Sequence, residues 1–239
     1  SGDSSVAGLH YQNSNPSNDF TLGLVGTHNI FFNDLTLDRS NGTYAMLIQG
    51  GAHDVTVTNS KLGGDVMSPR YSVDSMLTFV GNNMEGKNIT LHHPVGTDAG
   101  KVVIENNYLS NITLNNASEL VVSDNRANSS NAHAGRARID TSKNITISDN
   151  RLQGIGLYSD TVLNITGNDL YCYNCGNNGI LIANNWTWSS LVRNIDIAFS
   201  HNFNLSDNNY YAHGSDDGEA VKISYSSLGN VSYDTVQEA

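Results

Sequence analysis

The residues that could do chemistry are few and scattered. Near the end of the chain, His213-Gly-Ser-Asp216-Asp217-Gly-Glu219 sets two adjacent carboxylates in a glycine-flanked turn. Carboxylates in a tight turn are the ligands Ca²⁺ takes, so Asp216 and Asp217 are where Ca²⁺ could bind; the sequence implies no other cofactor. Carboxylates holding Ca²⁺, with a base taking the proton beside a uronate, would make a lyase. His133, Arg136 and Arg138 could supply the positive charges. His92-His93 is a paired-histidine metal candidate, but no second ligand pair is spaced near it. Cys172-Tyr-Asn-Cys175 has two thiols where a zinc site needs four ligands, and it lacks the βαβ setting of a redox motif. It reads as a local disulfide between Cys172 and Cys175 in an exposed turn, with a crosslink between chains as the alternative. Tyr171, Tyr173, Tyr210 and Tyr211 could form a sugar-stacking strip, a protein contact patch, or stacks between neighbouring elements. None of these groups is a complete catalytic or metal set, so the sequence leans away from an enzyme.

The elements that would have to position these residues come from an internal repeat. The pattern is apolar, any, apolar, any, any, Asn, any, apolar. It fits Leu77-Phe79-Asn82-Met84, Val102-Ile104-Asn107-Leu109, Leu120-Val122-Asn125-Ala127, Ile145-Ile147-Asn150-Leu152 and Leu163-Ile165-Asn168-Leu170. Ile180-Ile182-Asn185 and Phe203-Leu205-Asn208-Tyr210 continue it, while Val55-Val57-Asn59-Leu62 has its Asn one place early. From Asn59 to Asn208 the Asn spacings are 23, 25, 18, 25, 18, 17 and 23 residues. A βαβ unit needs about 30 residues or more, so these periods suit single coils of a solenoid. Apolar residues on alternate positions put one side of each strand inward. Asn tolerates the left-handed turn that starts a new face, and stacked amides can bond each other along an axis. The register therefore predicts an internal ladder of Asn107, Asn125, Asn150, Asn168 and Asn185.

Composition agrees with coils and excludes other classes. Asn, Ser, Gly and Thr supply 98 of 239 residues, which disfavours long helices. The net charge of −11 and the lack of a basic block make nucleic acid a poor partner. No run of about 20 apolar residues exists, so no membrane span is expected. Val, Ile, Leu and Phe total 58 and are placed periodically, which argues against disorder.

The segments Lys101–Leu109 (KVVIENNYL), Asn144–Leu152 (NITISDNRL) and Val162–Leu170 (VLNITGNDL) resemble parallel β-helix repeats of the pectate-lyase-like right-handed superfamily. They are most similar to Asn-rich repeats of archaeal and bacterial surface-layer or sheath proteins. The resemblance implies an all-β fold, a right-handed parallel β-helix of about 8–10 coils with irregular ends. Residues 29–211 would form the helix, 1–28 an irregular N-terminal edge and 212–239 a C-terminal strand or edge segment of the same domain. Residues 63–75, 92–100 and 127–138 read as loops. The segment around Asp216 and Asp217 also resembles the Asp-Asp segment of polygalacturonases, where carboxylates flank a glycosidic bond. The downstream Gly-His-Gly and Arg-Ile-Lys segments of those enzymes do not follow it.

N-x-S/T sequons occur at ten Asn against about six by chance. Asn88, Asn111, Asn144, Asn164 and Asn204 each precede an inward Ile or Leu and are expected to face outward and carry sugar; Asn185, in the ladder, is not. With no N-terminal Met or signal-like segment, the chain reads as a mature secreted product. Coil ends without a capping helix expose strand edges. Together these features lead to the expectation of an extracellular or cell-surface structural protein. It would polymerise with its own copies into a surface layer, sheath or filament. A polysaccharide-active lyase or hydrolase, and a carbohydrate-binding or adhesion module, are the alternatives, with a polysaccharide as partner.

Overall fold

A computed structural model describes residues 4–7, 10–13, 20–39, 44–49, 51–69, 76–84, 86–92, 100–127, 135–172, 193–198, 200–212, 219–227, 229–232 and 235–238. Among them every regular element is a strand, and every strand pairing is parallel. The chain visits three faces in turn and returns to the first, the arrangement of a β-solenoid. Face 1 is a sheet of ten strands running from Ser4–Ala7 to Asn230–Ser232. Face 2 consists of short strands in sets of three and six, joined through bridges at Asn83 to Lys61 and Tyr108. Face 3 has nine strands, from Phe20–Val25 to Glu219–Ser224.

The alternation read from the sequence sets the interior. On face 1, Val55 and Val57 lie beneath Leu77 and Phe79, which lie beneath Val102 and Ile104. All six are fully buried. Face 2 contributes Leu37, Leu62, Met84, Leu109, Leu152 and Leu170, and face 3 adds pairs such as Ile89 with Leu91 and Ile155 with Leu157. Each such side chain contributes about 1.5–3 kcal/mol of burial.

The corners have a local cause. Between faces 1 and 2, Asp34, Asn59, Gly81, Asn106, Asp124, Asp149, Gly167 and Asp207 all have φ between 48° and 68°. Asn, Asp and Gly are the residues that enter this left-handed region at least cost. The left-handed role expected of the ladder Asn therefore belongs to the residue before it. This explains the repeat that looked one place early: Asn59 makes the turn and Ser60 occupies the inner position.

Several boundaries shift. Residues 1–28 contribute strands Ser4–Ala7, His10–Asn13 and Phe20–Val25, all in register with the next coil. At the other end Glu219–Ser224, Asn230–Ser232 and Thr235–Glu238 pair onto the preceding coil. Strand Asp65–Ser68 lies within a stretch expected to be a loop, and strand Arg136–Asp140 begins within another, 127–138. The second was missed because Ala137, small for a core residue, breaks the apolar signal, yet Ala137 and Ile139 point inward and are buried.

Candidate functional site

The internal amide column comes first because it sets the register of everything outside it. Asn125 Oδ1 accepts from the backbone N–H of Asn107 at 3.0 Å and from its Nδ2 at 3.1 Å. Asn125 Nδ2 donates back to Ile104 O at 2.7 Å and onward to Asn150 Oδ1 at 3.0 Å. The same four contacts recur at Asn107, Asn150 and Asn168, and Asn82 makes all but the one from a side-chain amide below it; all are buried. Ser60 starts the column by accepting from Leu35 N–H and donating its own N–H to Asn82 Oδ1. Above Asn168 the next rung is Asn208, at 2.9 Å and 40 residues on. Strand Thr161–Thr166 pairs directly with His201–Ser206. The rung assigned to Asn185 is thus taken by Asn208; Asn185 itself lies outside the described residues.

A cluster of ionisable groups sits on the outer side of face 3. Register aligns His92, Asn115, Asp140 and Tyr158 in one column, and Thr90, Thr113, Arg138 and Gly156 in the next. Arg136 stands beside Gly154. Arg138 Nη2 meets Asp140 Oδ2 at 2.7 Å. Asp140 is 9% exposed, and its Oδ1 is buried without a hydrogen bond. Burial pushes the Asp140 carboxyl above its usual range, against the pull of the Arg138 charge. Burial, then the nearby Arg138 charge, pushes the His92 imidazole down. Burial lowers both guanidinium pKa values, although arginine stays charged. The arrangement brings a buried carboxyl, an imidazole and two guanidinium charges to one strip, and the guanidinium groups are suited to an anionic partner.

Asp160 was not anticipated as a special residue. It lies in a second internal column, at the corner between faces 3 and 1, where Ser142, Ser200 and Ser226 occupy the equivalent positions. Its carboxylate accepts from Ser142 N–H at 2.6 Å and Tyr158 N–H at 2.9 Å. Burial raises its pKa well above 3.8; the Asp140 charge adds to this, and the two N–H donors oppose it. A third cluster joins His28 and His53, whose rings stack at 5.2 Å and 11°, with Asp54. The signal was present in the sequence: His28-Asn-Ile and His53-Asp-Val stand one 25-residue coil apart.

The remaining candidates divide. Asp216, Asp217, His133, His93, Tyr173 and Cys175 lie outside the described residues. Cys172 ends strand Asp169–Cys172, and register places Tyr171 beside Tyr211. Among the described residues no group of three or more His, Cys, Asp or Glu is arranged to hold a metal ion. The five outward sequons fall into three settings. Asn88 and Asn111 are half-buried, with Asn88 Nδ2 on the Asp65 carboxylate and Asn111 Nδ2 on Asn88 Oδ1. Asn144 is exposed at a left-handed position and bonds Ser118 O. Asn164 and Asn204 lie on the outer side of face 1, where Asn204 Nδ2 donates to Asn164 Oδ1 and Asn230 Nδ2 to Asn204 Oδ1. No described helix is long and apolar enough to cross a membrane. No protein-family model and no characterised protein sequence matches the chain.

Proposed function

We propose that the protein is a structural β-helix of the cell surface whose coils stack end to end with further copies, building a layer, sheath or filament. One observation carries this reading. Ile223 and Val231 occupy core register, paired with the fully buried Ile197 and Leu205 one coil earlier, yet they are 40% and 51% exposed. Their strands, Glu219–Ser224 and Asn230–Ser232, are the last in their sheets. Among the described residues, these uncovered apolar side chains and strand edges are a template for a further coil, which in this reading a second copy supplies. On the first described strand of face 3, Phe20 has the inward parity of Leu22 and Leu24 yet is exposed. Joining two different ends gives a head-to-tail contact, which propagates when it does not close into a ring. The sequons and the acidic balance support an extracellular setting. Right-handed winding follows the strong preference of parallel crossovers.

Electron microscopy and light scattering of the purified chain test this reading. Ordered polymers are expected, and Ile223→Lys with Val231→Lys should leave a monomer with an unchanged melting temperature. A wild-type chain that stays monomeric at high concentration, or a double variant that still polymerises, would overturn it. The Asp140, Arg136, Arg138 and His92 strip favours a second reading, action on or binding to an acidic polysaccharide. Release of cleaved products from a polyuronate, lost in Asp140→Asn, would select that reading instead.

A further inference from the structure

The tripeptide His-Asn/Asp-apolar occurs at His28-Asn29-Ile30, His53-Asp54-Val55 and His201-Asn202-Phe203. Each opens a face 1 strand, and its middle residue is left-handed, with φ of 52°, 52° and 54°. Only the first two stand in neighbouring coils, where His28 pairs with His53. His201 instead lies between Thr161 and Ser227 and hydrogen-bonds the Ser227 hydroxyl.

We propose that His28 and His53 form a binding site for one divalent transition-metal ion, of the kind represented by Zn²⁺ or Cu²⁺. Imidazole suits these ions, and two imidazoles on adjacent strands can chelate one. The carboxylate decides which nitrogen is offered. Asp54 Oδ2 lies 2.8 Å from His53 Nδ1 and its Oδ1 accepts the Met76 N–H at 3.1 Å. With Nδ1–H donating to the carboxylate, His53 keeps its Nε2 lone pair for the metal, the arrangement in which an outer carboxylate orients a ligating histidine. Both Asp54 oxygens are engaged, so the carboxylate orients the ligand without coordinating. The His53 and Asp54 side chains are 39% and 40% exposed, leaving room for water to complete the coordination. Metal–nitrogen bonds of about 2.0–2.1 Å would bring the two Nε2 atoms to roughly 3.4 Å, so the stacked rings must splay by tilting toward each other. Side chains this exposed can do so without disturbing the coil.

Calorimetric titration of the full chain with ZnCl₂ and with CuSO₄ near neutral pH tests the site. One ion per chain is expected, with affinity falling at least tenfold in His28→Ala and in His53→Ala. Asp54→Asn should weaken binding about 10–100-fold. His201→Ala, which removes the same motif without a stacked neighbour, should leave it unchanged. Melting curves without metal report whether each variant is folded, and Gln in place of Ala at either histidine gives a second reading. Binding that survives loss of both histidines, or a folded wild-type chain that binds neither ion, overturns the proposal.

Discussion

At the corner between faces 1 and 2 the polar rung is an asparagine that bonds the coils on both sides. At the corner between faces 3 and 1 it is a serine that reaches only one. Asn125 accepts two hydrogen bonds from the coil before it and donates to both that coil and the next. Ser142 accepts the Ala117 N–H at 3.0 Å, then turns its own hydroxyl proton to Asp140 O within its own coil. The difference is chemical reach. A side-chain amide carries an acceptor and two donors, so it can transmit a bond upward and downward at once; a hydroxyl has one proton to give.

The largest effect expected from this contrast is at Asn125. Asn125→Leu leaves the Asn107 donors and Ile104 O short of partners in a dry interior, at about 1–3 kcal/mol for each unsatisfied group. We expect a loss above about 3 kcal/mol in urea unfolding, against about 1 kcal/mol for Ser142→Ala, which orphans one N–H. Equal losses at the two positions would erase the distinction between the columns.

Asp160 sharpens the comparison through pH. It stands where its neighbours are serines, and as an ionised group it can only accept. Its carboxyl is raised in the folded chain, so the folded state holds that proton more tightly than the unfolded one. Its contribution is therefore fully present below pH 3.8, and stability falls as pH rises from there through the raised value. The slope is at most about 1.4 kcal/mol per pH unit. Asp160→Asn should flatten that slope in denaturation midpoints measured from acid to neutral pH, while Asp54, shifted downward, keeps its opposite contribution in both proteins. A variant that retains the wild-type slope would show that Asp160 is ionised at little cost.

The smallest effect concerns the left-handed turns. Val162 has φ of 57° at the position where the adjacent coils carry Asn144 and Asn202. A β-branched residue there is strained, so Val162→Asn should stabilise the chain by about 1 kcal/mol. Its exposure of 50% means little burial is lost. A lower melting temperature would mean that the valine makes contacts that outweigh the strain.

Much of the interior was legible because its signals are local and repeat. Apolar-x-apolar followed by Asn marks a strand and a corner at every coil from Asn82 to Asn168. The paired turn and rung at Asn106-Asn107, Asp124-Asn125 and Asp149-Asn150 can also be read from residue types once their roles are separated. What failed was position between coils. Asn185 fits the pattern in one dimension, but the backbone pairing passes from the Asn168 coil to the Asn208 coil. The outer strip of His92, Arg138 and Asp140 left no periodic signal, since its members come from two coils separated by a third.

The sequence by itself determined that the chain coils, which residues face inward, and where amides stack, because each follows from alternation and from the few residue types that tolerate φ above zero. Tertiary structure alone decided which coil lies on which. That choice placed Asp160 among serines, set His92 in the column of Asp140 and stacked His28 on His53. Coils here vary from 18 to 40 residues, so sequence distance does not measure spatial distance; only the backbone hydrogen bonds between strands fix the register.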